Sequence, residues 1–84
     1  MRYSELLRKL GKFGICQVGK LEVDTDTIAY LAKRDEAVFP YQFRCHVIYL
    51  EPGETDPEIH EEVVLSILRR FGIDKGRFDA QTLH

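Results

Sequence analysis

Phe39-Pro40-Tyr41-Gln42-Phe43-Arg44-Cys45-His46-Val47-Ile48-Tyr49-Leu50 is the stretch whose reading decides the fold. Phe39, Tyr41, Phe43, Cys45, Val47 and Tyr49 recur at every second position, the period of a β-strand with one apolar face. Gln42, Arg44 and His46 take the opposite face, and Ile48 and Leu50 make the far end apolar on both sides. Pro40 lacks a donor for the ladder, which puts it at the start of the strand, on an edge or at a bulge. The expectation is a strand whose ladder of rings packs inward.

Upstream, two further strands are expected. Gly14 to Val23 alternates with a break at Gly19, the mark of a β-bulge. Asp24-Thr25-Asp26 is turn material, and Thr27 to Lys33 reads as a second strand closed by Arg34-Asp35-Glu36. Short turns between three strands make an antiparallel meander.

Helices flank the meander. Ser4 to Gly11 is expected to be helical, with Ser4 as cap, Glu5 at the positive end and Leu6, Leu7 and Leu10 on one face. Glu51 to Asp56 is a loop turning at Pro52-Gly53. Asp56-Pro57 is the pattern of a helix start, an acceptor at the cap and a proline in the first turn. From there Ile59, Val63, Val64, Ile67, Leu68 and Phe71 form an apolar stripe. Acidic residues lie at its start, and Arg69 and Arg70 at its end. Gly72-Ile73 reads as a Schellman ending, Asp74 as the cap of a last short turn to Phe78, and Gln81 to His84 as a frayed tail. The fold class is α+β. It is a two-layer α-β-β-β-α domain in which two helices cover one face of a three-stranded sheet, and the rings meet Leu6, Leu10, Val63 and Ile67.

Eighty-four residues make one domain, spanning 1–84. A chain of this size buries only about 60–65% of the surface it exposes when unfolded, so its core is thin. With 44% hydrophobic and 31% charged residues it is neither disordered nor low in complexity. No apolar run reaches the roughly 18–20 residues of a membrane span, and the amphipathic start does not resemble a secretion signal. A soluble, cytoplasmic protein is expected.

The formal net charge is −2, far from the basic footprint of a dedicated nucleic-acid binder. Its distribution is uneven. Residues 1–20 hold five basic residues against one acidic, a net of +4, and the rest hold seven against thirteen, a net of −6. The basic end, with Arg8, Lys9, Lys12 and Lys20, suits an anionic partner or the acidic end of a neighbouring subunit.

Little else carries chemistry. His46 shares a strand face with Arg44, so a proton-transfer residue beside an anion-holding guanidinium is one reading; a solvent-facing polar row is the plainer one. His60 sits among Glu58, Glu61 and Glu62, as a surface residue would. Asp24-x-Asp26 begins like a calcium loop, but Ala29 stands where the sharp turn needs glycine, and no metal site is expected. No cofactor-cradling glycine loop is present, and Ser4 and Ser66, the two serines, do not suit a hydrolase. Cys16 and Cys45 read as reduced strand residues, bridgeable only if their strands are neighbours. Rings on a sheet also stack on single-stranded bases, provided that they face water.

Ser4-Glu5-Leu6-Leu7-Arg8-Lys9-Leu10 and Ser66-Ile67-Leu68-Arg69-Arg70-Phe71-Gly72-Ile73, with Phe78 five residues on, resemble the opening and closing helices of the HicA toxin family. These are small ribonucleases of bacterial toxin–antitoxin pairs with a double-stranded-RNA-binding-like fold, and the likeness covers about a third of the chain. The family carries Gly-Ser-His where the first strand meets the second. Here Gly19 is followed by Lys20 and Leu21, with no histidine. The resemblance therefore implies a scaffold whose ribonuclease chemistry is lost or moved, and which binds a protein or RNA.

Three functions follow. The first is a non-catalytic interaction domain, binding a second copy of itself or an antitoxin-like protein by an edge strand or by the apolar end of the third strand. The second is an RNA-binding domain using Arg8, Lys9, Lys12 and Lys20. The third is a small enzyme using His46 and Arg44.

Overall fold

The computed structural model describes residues 1–24, 26–33, 45–51 and 53–81. The expected turn at Arg34-Asp35-Glu36, the strand positions Phe39 to Arg44 and the last three residues lie outside them. The element order is α1 (Tyr3–Gly11), β1 (Ile15–Val23), β2 (Asp26–Lys33), β3 (Cys45–Leu50), α2 (Glu61–Phe71) and α3 (Lys75–Asp79). The strands form one antiparallel sheet in the order β1-β2-β3, as the meander requires.

The hairpin joining β1 to β2 is local in origin. Val23 pairs with Asp26, and Asp24 takes φ 55°, a left-handed conformation that aspartate tolerates better than most residues. Val18 is the extra residue of a β-bulge between Gln17 and Gly19, where the break in alternation falls. α2 ends as expected. Gly72 is left-handed at φ 69°, its N–H donates to Arg69 O, and the Ile73 N–H reaches back to Leu68 O at 2.9 Å. Asp74 Oδ2 accepts from the Arg77 N–H at 3.0 Å and so caps α3.

Two helix starts differ from expectation, and a single contact explains both. Asp56 does not cap the helix that follows it. Its carboxylate accepts from the Ser4 N–H at 2.8 Å and the Ser4 hydroxyl at 2.7 Å, so it closes the start of α1 from across the fold. Ser4 is therefore the donor in that cap, and Arg2 holds the N-cap position. Residues 57–59 run extended beside the N-terminus. The Tyr3 N–H donates to Pro57 O at 2.9 Å, and the Ile59 N–H to Met1 O at 2.7 Å. These bonds hold the backbone out of the helical region, and α2 begins only at Glu61. Hydrogen bonds from Ser4 hold the Asp56 carboxyl below the usual carboxylate range. The Met1 ammonium does the same for Glu58.

The core lies between the helices and one face of the sheet. Leu6 and Leu10 of α1, Val64, Ile67, Leu68 and Phe71 of α2 and Phe78 of α3 meet Ile15, Ala29, Leu31 and Ile48. The strand alternation places Val47 and Tyr49 on the other face, where they are 43% and 75% exposed, while Ile48 between them is 3% exposed. The described end of the ring ladder thus points away from the helices, and the expected packing against Leu6, Leu10, Val63 and Ile67 is overturned there. The physical reason is in β2. Its helix-facing positions at the centre are Ala29 and Leu31, and the small Ala29 lets a helix approach the sheet closely. On the other face Ile28 and Tyr30 lie beside Tyr49 and Val47.

Truncating Leu31, fully buried in the central strand, is expected to cost about 2–5 kcal/mol of unfolding free energy. Tyr49→Ala on the outer face should stay within about 0.5 kcal/mol. Denaturant titration of both variants checks the orientation, and equal losses would contradict it.

Candidate interaction surface

The outer face of the sheet is built row by row from the strand register. Cys16, Ala32 and Cys45 make one row, Gly19, Tyr30 and Val47 the next, and Leu21, Ile28 and Tyr49 the third, with Val23 beyond. Gly19 lies under the Tyr30 ring, where an added Cβ would meet Cδ2 at 3.6 Å. The first row is closed in, with Ala32 fully buried. The face opens toward the β1–β2 hairpin.

This face concentrates the exposed apolar surface. Among the described residues, the large hydrophobics left exposed are Val18, Leu21, Val23, Val47 and Tyr49. The strand alternation places Leu21, Val23, Val47 and Tyr49 here, and Val18 stands at the bulge of β1. No charged side chain lies in these three rows, and the Val23 row beyond them carries Asp26. Strand spacing and rise give the open part an area on the order of 300 Å². That equals a functional patch on a monomer but falls well short of the ~800 Å² each partner contributes to a standard interface.

Cys16 and Cys45 both pair with Ala32 from opposite sides. Two strand spacings, about 9–10 Å, separate them, beyond the ~7 Å a disulfide can span. Both are free thiols. Burial pushes the Cys45 thiol upward, against the nearby Arg70 charge.

His46 is not on a solvent-facing row. It pairs with Leu31 on the helix side, and burial, reinforced by Arg70, pulls its pKa below the free value. Arg44, its expected partner, lies outside the described residues. The guanidinium whose charge acts on His46 is that of Arg70, which donates to Cys45 O next to it in the strand at 3.3 Å. His46 lines an open groove of about 330 Å³ with Ile48, Tyr49, Glu62, Val63 and Ser66. The spacing of residues 46 and 70 in the chain gives no hint of this proximity, which follows from how α2 lies along β3.

The basic residues do not converge. Lys9 Nζ sits 5.3 Å from the Phe78 ring centroid, packing α1 against α3. Lys20 is 3.8 Å from Glu22 and lines a cavity of about 430 Å³ with Tyr3 and Gln17, beside the start of α1. Arg8 and Lys12 are exposed, and Lys12 lies nine residues from Tyr3, about 13 Å along the helix axis. Inside that cavity the Tyr3 hydroxyl donates to Gln17 Oε1 at 2.6 Å, and burial pushes its pKa up to about 12. Among the described residues no group of three or more His, Cys, Asp or Glu side chains is placed to hold a metal ion, and no helix is long and apolar enough to cross a membrane.

The chain matches no family model, no curated protein and no solved structure.

His46 should titrate below the ~6.5 of a free imidazole in an NMR experiment. The folded state disfavours the charged ring more than the unfolded chain does, so stability is full above ~6.5 and declines as pH falls below it. His46→Gln should flatten the drop in melting temperature between pH ~7 and ~5.5. A midpoint at or above the free value would contradict the burial of the ring.

Proposed function

We propose that this domain is a non-catalytic protein-interaction module on a HicA-like scaffold, working in the cytoplasm without a small-molecule cofactor. The observation that carries this reading is the placement of the exposed Leu21, Val23, Val47 and Tyr49 on one sheet face. Exposed apolar side chains gathered on one surface, with charge confined to its hairpin end at Asp26, favour a partner that brings apolar surface of its own. A second copy or an antitoxin-like protein meets that requirement; a solvated polar ligand does not.

The RNA-binding reading through Arg8, Lys9, Lys12 and Lys20 has less support. Lys9 packs on a ring, Lys20 pairs with Glu22, and the formal net charge is negative. The enzymatic reading has less still, because His46 lies against the helix layer beside Arg70.

The folded domain at low concentration should brighten anilinonaphthalene sulfonate, and the double variant Leu21→Lys, Tyr49→Lys should abolish this with its melting temperature kept. Equal brightening by both proteins would remove the outer face as the binding element. Binding to structured RNA at ~50 mM salt that weakens steeply as salt rises would replace the reading with the nucleic-acid one.

A further inference from the structure

The two edges of the sheet are built differently. β1 carries Lys20, Glu22 and a bulge at Val18, devices that discourage strand pairing at an edge. β3 is Cys45-His46-Val47-Ile48-Tyr49-Leu50, with no formal charge, no proline and no bulge, and β2 is its one strand neighbour among the described residues. An uncharged, apolar edge of this kind is a template for another strand.

Beside that edge lies α2, and its charges are arranged in a way that suits a copy of itself. Glu62, Ser66 and Arg70 recur every four residues and so share one stripe. The stripe follows β3, since Glu62 and Ser66 line the groove with His46 to Tyr49, and Arg70 reaches the Cys45 carbonyl. α2 therefore runs antiparallel to β3. Glu62 to Arg70 spans about 12 Å along the helix, and Cys45 to Tyr49 about 13 Å along the strand. A two-fold axis through Val47 consequently passes level with Ser66.

We propose that the chain forms a dimer with a second copy of itself by antiparallel pairing of β3 with β3 about this axis, α2 lying antiparallel to α2. Val47 then faces Val47, Cys45 faces Tyr49 and His46 faces Ile48 of the second copy. Glu62 of each protomer comes opposite Arg70 of the other, with Ser66 on the axis. The acidic start of one helix meets the basic end of its mate, so charge and helix dipole are complementary at both ends. A copy in the reverse, parallel orientation would set Glu62 against Glu62. The product is a six-stranded sheet whose outer faces join on one side, so the apolar patch doubles. The inference is carried by the edge and by α2 and does not depend on what binds the outer face.

Five paired residues and one helix stripe bury less than a standard interface, so the dissociation constant falls in the micromolar range, ~1–100 µM. Sedimentation equilibrium of the full chain tests this. The wild type should dimerise. Glu62→Arg and Arg70→Glu should each weaken the dimer about tenfold, and the double variant E62R/R70E should restore it. Glu62→Gln serves as a milder variant should a reversal unfold the helix, with melting curves recorded throughout. Leu21→Lys should leave the dimer intact. A wild type that stays monomeric to ~1 mM overturns the proposal, as does a double variant no tighter than the singles. A dimer lost in Leu21→Lys but indifferent to both reversals also overturns it, because the copies then stack through their outer faces and the interaction reading alone survives.

Discussion

A three-stranded sheet has two faces, and the described helices cover one of them. α1 packs against β1 and α2 against β3, and the described helices all join the same core. The apolar positions of one strand parity join the helical core, and those of the other lie outside it, with Ala32 alone among them fully buried. Ala29, Leu31 and Ile48 are buried, while Ile28, Tyr30, Val47 and Tyr49 occupy the other side. Every functional statement follows from that division.

What holds the layer in place is a second, polar constraint at the termini of the helices. Asp56 closes α1, and residues 57–59 bond to Met1 and Tyr3. The N-terminal residues, the loop before α2 and the start of α1 are thereby one hydrogen-bonded unit. The same unit sets where α2 begins, and hence how the stripe of Glu62, Ser66 and Arg70 runs beside β3. The geometry of the β3 edge is in this sense prepared by a carboxylate at the far end of the helix.

Much of this was legible from residue patterns, and the part that was not has a clear cause. The order of elements, the bulge near Gly19, the ending at Gly72-Ile73 and the Asp74 cap are local features, determined by residues within a few positions of each other. The Asp56-Pro57 start misled because a local capping pattern was outbid by a contact 52 residues away in sequence. The orientation of β3 misled because Ile48 and Leu50 make both parities apolar, so alternation alone has two solutions and tertiary packing selects one. The neighbourhood of His46 was invisible for the same reason, since Arg70 arrives through the docking of α2. The outer face carries no motif at all. It is visible only once the register is known.

Thiol labelling reads the division of faces directly. In a background with Cys16 and Cys45 replaced by serine, Tyr49→Cys should react with a maleimide nearly as fast as an unfolded peptide, and Ile48→Cys should be strongly protected until the domain opens. Protection at residue 49 with ready labelling at residue 48 would reverse the sheet, and with it the surface and the edge on which the functional account stands.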